Sequence, residues 1–156
     1  LGEAYIPMLD EEDVSLKFKT RVGYGDGFGD SDGLPFLKNF FAGGIRTVRG
    51  YKYNSLGPID NKGEQVGGNV LLTGTAALQF PMPGVKETDQ ARLSLFSDAG
   101  QVYADSAKLE DLRYSVGLAL AWMTPIGPLS FTYASALNSE SGDETEGFQF
   151  SIGSAF

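Results

Sequence analysis

The 156-residue sequence predicts an all-β fold, a fragment of an antiparallel transmembrane β-barrel with about seven strands and one long, inward-folding extracellular loop. Three observations predict this fold. Apolar and polar residues alternate with a period of two over most of the chain. The connections between these segments are short and long in alternation along the chain, as in outer-membrane barrels. Aromatic residues stand near the ends of several segments, where the girdles of such a barrel lie.

The first three alternating segments predict strands over residues 2–8, 14–24 and 69–80. In the second segment the even positions are mostly apolar, whereas the odd positions carry lysine, arginine and serine. The third segment places Val70, Leu72 and Leu78 on one side and threonines on the other. Strands of this length suffice to cross a bilayer at a tilt.

Four further segments predict strands over residues 91–100, 113–122, 129–134 and 148–156. In the first of these, Leu93 and Leu95 lie on one face, and Arg92, Ser94 and Asp98 on the other. The last three alternate aromatic or aliphatic residues with glycine, alanine, serine or glutamine. Small and polar residues suit a crowded or wet barrel interior, so they favour a membrane barrel. A soluble antiparallel sheet with one buried face remains the alternative.

The composition excludes several classes of chemistry. With no cysteine and no histidine, the chain has neither a thiolate nucleophile nor a Ser-His-Asp triad, and no Cys/His metal site. The net charge of −8 argues against a nucleic-acid partner. No paired carboxylates have catalytic spacing. We therefore expect no enzyme activity, no cofactor and no metal.

The connection over residues 25–67 is the longest in the chain and contains the apolar run 40–51. Apolar residues in a loop need cover, so we expect this loop to fold back into the mouth of the barrel. Arg49 then enters a confined space, where an unpaired charge is costly. Asp98, on the interior face of its strand, is the candidate partner. A solvated loop arginine is the other interpretation.

Three motifs resemble signatures of one family. Residues Val48, Arg49, Gly50 and Tyr51 match a V-R-G-[FY] signature, and Phe96, Asp98 and Gly100 match an F-x-D-x-G strand motif. Together with residues 41–44 they resemble the BamA insertase family, in the same order and at compatible spacing. The resemblance extends over essentially the whole chain.

The resemblance implies a larger barrel preceded by POTRA domains. Residues 1–156 would then be the carboxy-terminal part of the barrel domain, without the POTRA domains and the first barrel strands. In this family the loop arginine binds acids on the next two strands, which correspond here to Gln79 and Asp98. Glutamine stands where relatives often carry glutamate, which leaves Arg49 a single anionic partner.

The resemblance also implies a function. It predicts a protein of the bacterial outer membrane that folds and inserts client β-barrel proteins by strand templating at a lateral gate. The gate strand would be the last one, with Phe148, Phe150, Ile152, Gly153 and Phe156, and Gly153 inside it weakens pairing. Implied partners are outer-membrane lipid, unfolded outer-membrane clients and accessory lipoproteins of the assembly complex. The isolated chain could self-associate through its open edges. A two-partner-secretion transporter and a passive porin are the alternatives.

Overall fold

The computed structural model describes residues 2–7, 14–25, 39–84 and 90–153. Nearly all regular structure in these residues is β, with one turn of 3-10 helix at Leu109–Asp111. The strands are β1 (Gly2–Pro7), β2 (Ser15–Tyr24), β3 (Gly50–Tyr51), β4 (Val70–Pro81), β5 (Ala91–Tyr103), β6 (Arg113–Thr124), β7 (Gly127–Ala136), β8 (Thr145–Glu146) and β9 (Phe148–Ile152). In this part of the chain no helix has the length and hydropathy needed to cross a bilayer.

Seven strands form one sheet in the order β1-β2-β4-β5-β6-β7-β9, and every pairing in it is antiparallel. The two remaining strands, β3 and β8, pair with each other. The predicted all-β, seven-stranded antiparallel fold is therefore confirmed. Among the described residues no pairing joins β1 to β9, so these two strands are the edges of an open sheet.

The two faces of the sheet have opposite chemistry, and the apolar face is the exposed one. Leu95, Leu118, Tyr133 and Phe150 are 52%, 54%, 70% and 64% exposed. The opposite face, called the polar face below, carries buried polar side chains, among them Lys17, Ser94, Asp98, Ser115, Ser130, Thr132 and Gln149. This is the reverse of a water-soluble sheet, which buries its apolar face. The arrangement favours lipid as the neighbour of the apolar face.

The predicted strand ends need several corrections. Strand β5 continues to Tyr103 and β6 to Thr124, because their ladders extend beyond the alternating segments. Gly153, predicted inside the last strand, lies just outside it. Its φ of +83° is incompatible with an extended strand, so β9 ends at Ile152. Phe156, predicted in the same strand, lies outside the described residues.

Gly117 of β6 makes room for the ring of Phe96. A Cβ atom at Gly117 would lie 2.7 Å from Phe96 Cζ and would overlap the carbonyl oxygen of Tyr133 on β7. Phe96 is 2% exposed and belongs to a buried cluster with Ala77, Ala119 and Ala134. The absence of a side chain at Gly117 therefore sets the position of this ring on the polar face.

The substitution Gly117→Ala should lower the free energy of unfolding by about 1–3 kcal/mol, because overpacking displaces Phe96 and the β7 backbone. The matched control is Gly74→Ala, since a Cβ at Gly74 of β4 would have nothing within 4 Å. Urea unfolding midpoints of the full-length protein in detergent micelles measure both effects. Equal midpoints for the two variants would contradict the packing role of Gly117.

Candidate functional site

The described part of the long connection between β2 and β4, residues 39–69, is called the long loop here and lies on the polar face. It folds on itself through bridges between Phe40 and Gly68 and between Ala42 and Leu56. Ala42, Val48, Tyr51 and Leu56 are fully buried and pack against Leu71 of β4 and Val102 of β5. The loop therefore folds inward onto the sheet and is held there by an apolar cluster.

Arg49 and Asp98 form a buried ion pair at the centre of this contact. Arg49 Nε lies 2.7 Å from Asp98 Oδ2, and Arg49 Nη2 lies 2.7 Å from Oδ1. The backbone N–H of Arg49 donates a third hydrogen bond to Oδ2 at 3.0 Å. Arg49 is 5% exposed and Asp98 is fully buried. Bidentate geometry of this kind is strong and directional.

Two neighbours complete the surroundings of the ion pair. Thr75, directly opposite Asp98 on β4, donates its hydroxyl to Asp98 Oδ1 at 2.8 Å. The guanidinium carbon of Arg49 lies 3.4 Å from the centre of the Phe96 ring, which is a cation–π contact. The strand motif thus supplies both the anion and the aromatic platform for the loop arginine. Asp98 accepts four hydrogen bonds, so its charge is well compensated.

The remaining residues of the two motifs shape this contact. A Cβ atom at Gly100 would lie 2.7 Å from Val48 Cγ2, so glycine is needed for Val48 to reach the sheet. Gly50 has a φ of +88° and faces Ala134 of β7, where a Cβ would come within 3.1 Å of the alanine methyl group. Each motif glycine therefore permits a close approach of the loop to the sheet.

Tyr51 ends the loop motif with a fully buried side chain. Its hydroxyl lies 3.3 Å from the Tyr114 carbonyl oxygen and 3.4 Å from Asn138 Oδ1. Burial, followed by the nearby Asp143 carboxylate, raises the pKa of the Tyr51 hydroxyl above its ordinary value. The hydroxyl therefore stays protonated and acts as a donor.

Gln79 lines a cavity of about 240 Å³ on the polar face together with Arg49. Lys17, Lys19, Arg21 and Arg46 also line this cavity, so its wall is strongly basic. One carboxylate is close, because Glu3 of β1 lies 3.3 Å from Lys19 Nζ. Gln79 and Arg49 thus line the same cavity, whose wall carries several cations.

A second attachment holds the long loop, and sequence reasoning missed it. The connection between β7 and β9, residues 137–147, is called the last loop here, and it contains β8. Gly50 and Tyr51 of β3 pair with Glu146 and Thr145 of β8. The Lys52 N–H donates to the Glu144 carbonyl at 2.8 Å. Two-residue strands leave no periodic pattern, so no sequence signal could have found this pairing.

The structure places the predicted gate residues of β9 on a single face. Phe148, Phe150 and Ile152 are on the apolar face and are 58%, 64% and 64% exposed. Gln149, which sequence reasoning did not select, is on the polar face and is 6% exposed. Its Nε2 donates to the Tyr51 carbonyl oxygen at 2.7 Å. The last strand therefore contacts the loop motif directly.

The substitution Asp98→Asn should lower the free energy of unfolding of the full-length protein by about 3–5 kcal/mol, because it leaves the buried Arg49 without its counter-charge. Glu144→Gln is the control, since it removes the acid of the exposed Lys52–Glu144 pair and should have little effect. The urea unfolding midpoint measures the stability of each variant, and the rate of tryptic cleavage after Arg49 measures how firmly its loop is attached. An unchanged midpoint with Arg49 still protected would show that the ion pair does not hold the loop.

The substitution Gln79→Glu should stabilise the attached loop, by up to about 1 kcal/mol, because it places a carboxylate among the cations of the cavity. The gain should shrink in high salt, since the cavity is partly open to solvent. The rate of tryptic cleavage in the long loop, compared at low and high salt, measures this effect. Faster cleavage than in the unchanged protein would contradict it.

Comparison with known proteins agrees with this geometry. The Omp85 superfamily domain matches residues 1–156. The outer membrane protein assembly factor BamA of Neisseria meningitidis serogroup B is 38% identical over an alignment that covers 91% of this chain and 22% of that protein. The protein of the same name from Nitratidesulfovibrio vulgaris is 33% identical and covers 90% of this chain and 18% of its own length.

A solved structure agrees as well. BamA from Haemophilus ducreyi lacking POTRA domains 1–3 superposes with a TM-score of 0.85 at 30% identity, over 95% of this chain and 32% of that one. The chain thus spans about a fifth to a third of the length of these relatives. The predicted barrel class, family resemblance and outer-membrane location are confirmed. On its motifs, its fold and these matches, the chain belongs to the Omp85 superfamily.

Proposed function

We propose that this chain is the carboxy-terminal part of the barrel of an outer-membrane protein assembly factor. In this role the protein folds and inserts client β-barrel proteins by pairing their strands with β9. The names of the bacterial relatives support the activity. The observation that carries the proposal is that β9 combines backbone groups facing away from β7 with apolar side chains on the exposed face.

The backbone of β9 directs half of its polar groups away from β7. The Ala134 N–H donates to the Gly147 carbonyl, and the Gly153 N–H donates to the Pro128 carbonyl, each at 2.8 Å. In an antiparallel pair, alternate residues direct both backbone groups to the same neighbour. The odd-numbered residues from 147 to 153 therefore face β7. The even-numbered residues face the open edge; they are Phe148, Phe150 and Ile152.

At these three residues the backbone N–H and C=O groups face away from β7, and the side chain is apolar. Their side chains are on the exposed apolar face, so lipid is the expected neighbour on that side. A backbone N–H or C=O left unpaired in lipid costs several kcal/mol. A client strand that pairs with this edge satisfies its own groups and those of β9 by β-augmentation. Templating therefore lowers the barrier to insertion without covalent chemistry, a cofactor or a metal.

The proposed partners follow from the two faces. Outer-membrane lipid contacts the apolar face, and unfolded clients pair with β9. Accessory lipoproteins of the assembly complex are proposed from the family resemblance alone, without assigning them to residues of this chain. The long loop packs closely against the polar face, which does not suit a passive pore. The relatives are named assembly factors, which gives the two-partner-secretion alternative no specific support.

The substitution Phe150→Pro tests the templating edge. Proline at position 150 removes an N–H that faces the open edge and leaves the β7–β9 ladder intact, as edge strands tolerate. Assembly of a client barrel into liposomes by the full-length protein should fall by at least about tenfold, since one donor is lost in lipid. Phe150→Ala is the matched control, because it removes the ring and keeps the N–H.

A second control separates templating from stability. Ser151→Pro removes an N–H that faces β7, so it should weaken the barrel itself and lower its unfolding midpoint. Phe150→Pro should leave that midpoint close to the value for Phe150→Ala. Client assembly at the same rate with Phe150→Pro and Phe150→Ala would rule out β9 as the templating strand.

A further inference from the structure

One buried side chain joins the last strand to the loop motif. Gln149 Nε2 donates to the Tyr51 carbonyl oxygen at 2.7 Å, and the Gly44 N–H donates to the same oxygen at 2.9 Å. Tyr51 is two residues from Arg49, so the Gln149 contact lies close to the buried ion pair along the chain. A displacement of β9 toward lipid would break this contact.

The rest of the last loop continues the same connection. Its strand β8 pairs with β3, and the Ser55 hydroxyl donates to the Glu144 carbonyl at 3.1 Å. From Gly147 the chain passes directly into β9. The loop motif is therefore attached on one side to β5, through Asp98, and on the other side to the segment that leads into the last strand.

The pairing of β9 with its neighbour is short. Within the described residues it has five residue pairs with β7, from Leu129–Ile152 to Tyr133–Phe148, and one backbone bond beyond each end, whereas β6 and β7 have ten pairs. A strand with so few ladder pairs depends more on its side-chain contacts. The Gln149 side chain supplies one such contact, with the Tyr51 carbonyl of the long loop.

Gln149 uses its amide as a donor. Nε2 bonds to Tyr51 and lies 3.2 Å from Glu146 Oε2. Oε1 is buried and, within the described part of the chain, has no hydrogen-bond partner, and the same holds for the hydroxyl of Thr132 directly opposite on β7. The position therefore requires a donor and makes no use of an acceptor.

We propose that Gln149 is a positioning residue that couples the last strand to the long loop. Its amide holds the Tyr51 carbonyl while β9 stays paired with β7. When another strand draws β9 outward, the bond breaks, and the loop motif loses its direct contact with the last strand. The long loop thus responds to the state of the strand edge. The inference rests on the proposed function only where β9 is taken as the strand that receives clients.

Hydrogen exchange followed by mass spectrometry tests the coupling in the full-length protein. Gln149→Leu keeps the size of the side chain and removes the donor. It should raise exchange about fivefold to tenfold both in residues 148–152 and in residues 44–52, which corresponds to the loss of one buried hydrogen bond. Gln149→Lys restores a donor beside Glu146 and should return both segments to within about threefold of the original exchange.

The matched control lies within the long loop. Asn39 Nδ2 donates to the Val66 carbonyl oxygen at 2.9 Å, which is a similar bond between two residues of the long loop. Asn39→Leu should raise exchange around residues 39–41 and 66–68 and leave residues 148–152 unchanged. If Gln149→Leu raises exchange in the last strand alone, the coupling is wrong. If Gln149→Leu unfolds the whole barrel, the Gln149→Lys variant decides. Exchange in residues 44–52 and 148–152 close to that of the original protein supports the donor role of Gln149, and exchange that stays raised overturns it.

A synthetic peptide with the sequence of a client's terminal strand separates this inference from the proposed function. The peptide should raise exchange in residues 44–52 of the original protein and add nothing in Gln149→Leu. Binding of the peptide at β9 without any change in the long loop would overturn the coupling. Absence of peptide binding at β9 would count against the proposed function, while the exchange of the Gln149 variants still decides the coupling.

Discussion

The buried pair of Arg49 and Asp98 is the interaction on which the rest of this structure depends. A guanidinium in a nearly closed space is tolerated only with a counter-charge and full hydrogen bonding. Asp98 supplies both, because two side-chain bonds, one backbone bond and the Thr75 hydroxyl meet at its carboxylate. This requirement fixes the register of the loop against β5, and the two motif glycines follow from the same close approach.

The two faces of the sheet are covered in different ways. The apolar side chains point outward, so the polar face must find other cover. The long loop provides this cover with an apolar cluster of its own, built from Val48, Tyr51 and Leu56. Burial of the polar strand residue Asp98 is therefore a consequence of the loop, and it would be unusual in an isolated sheet.

Much of the fold could be predicted from the sequence, and the reasons are local. Alternation along a strand records which face each residue takes, so the seven long strands and the faces of Asp98 and Phe150 were recognisable. The loop motif pointed to Arg49 because a charged residue stood in an apolar run. The pairing of β3 with β8 and the contact of Gln149 with Tyr51 were not recognisable, since each joins segments more than ninety residues apart through one or two bonds. Gly153 was misplaced because alternation does not report the sign of φ.

The pairing of β3 with β8 has a consequence for the order in which the chain folds. Closing a contact between residues so distant along the chain carries an entropic cost that intervening structure must first reduce. Strands β4 to β7 lie between the two partners, so the contact can form readily only after these strands have assembled. The long loop is synthesised before them and reaches its final place after them. Its pairing with β8 therefore reports that β4 to β7 have assembled.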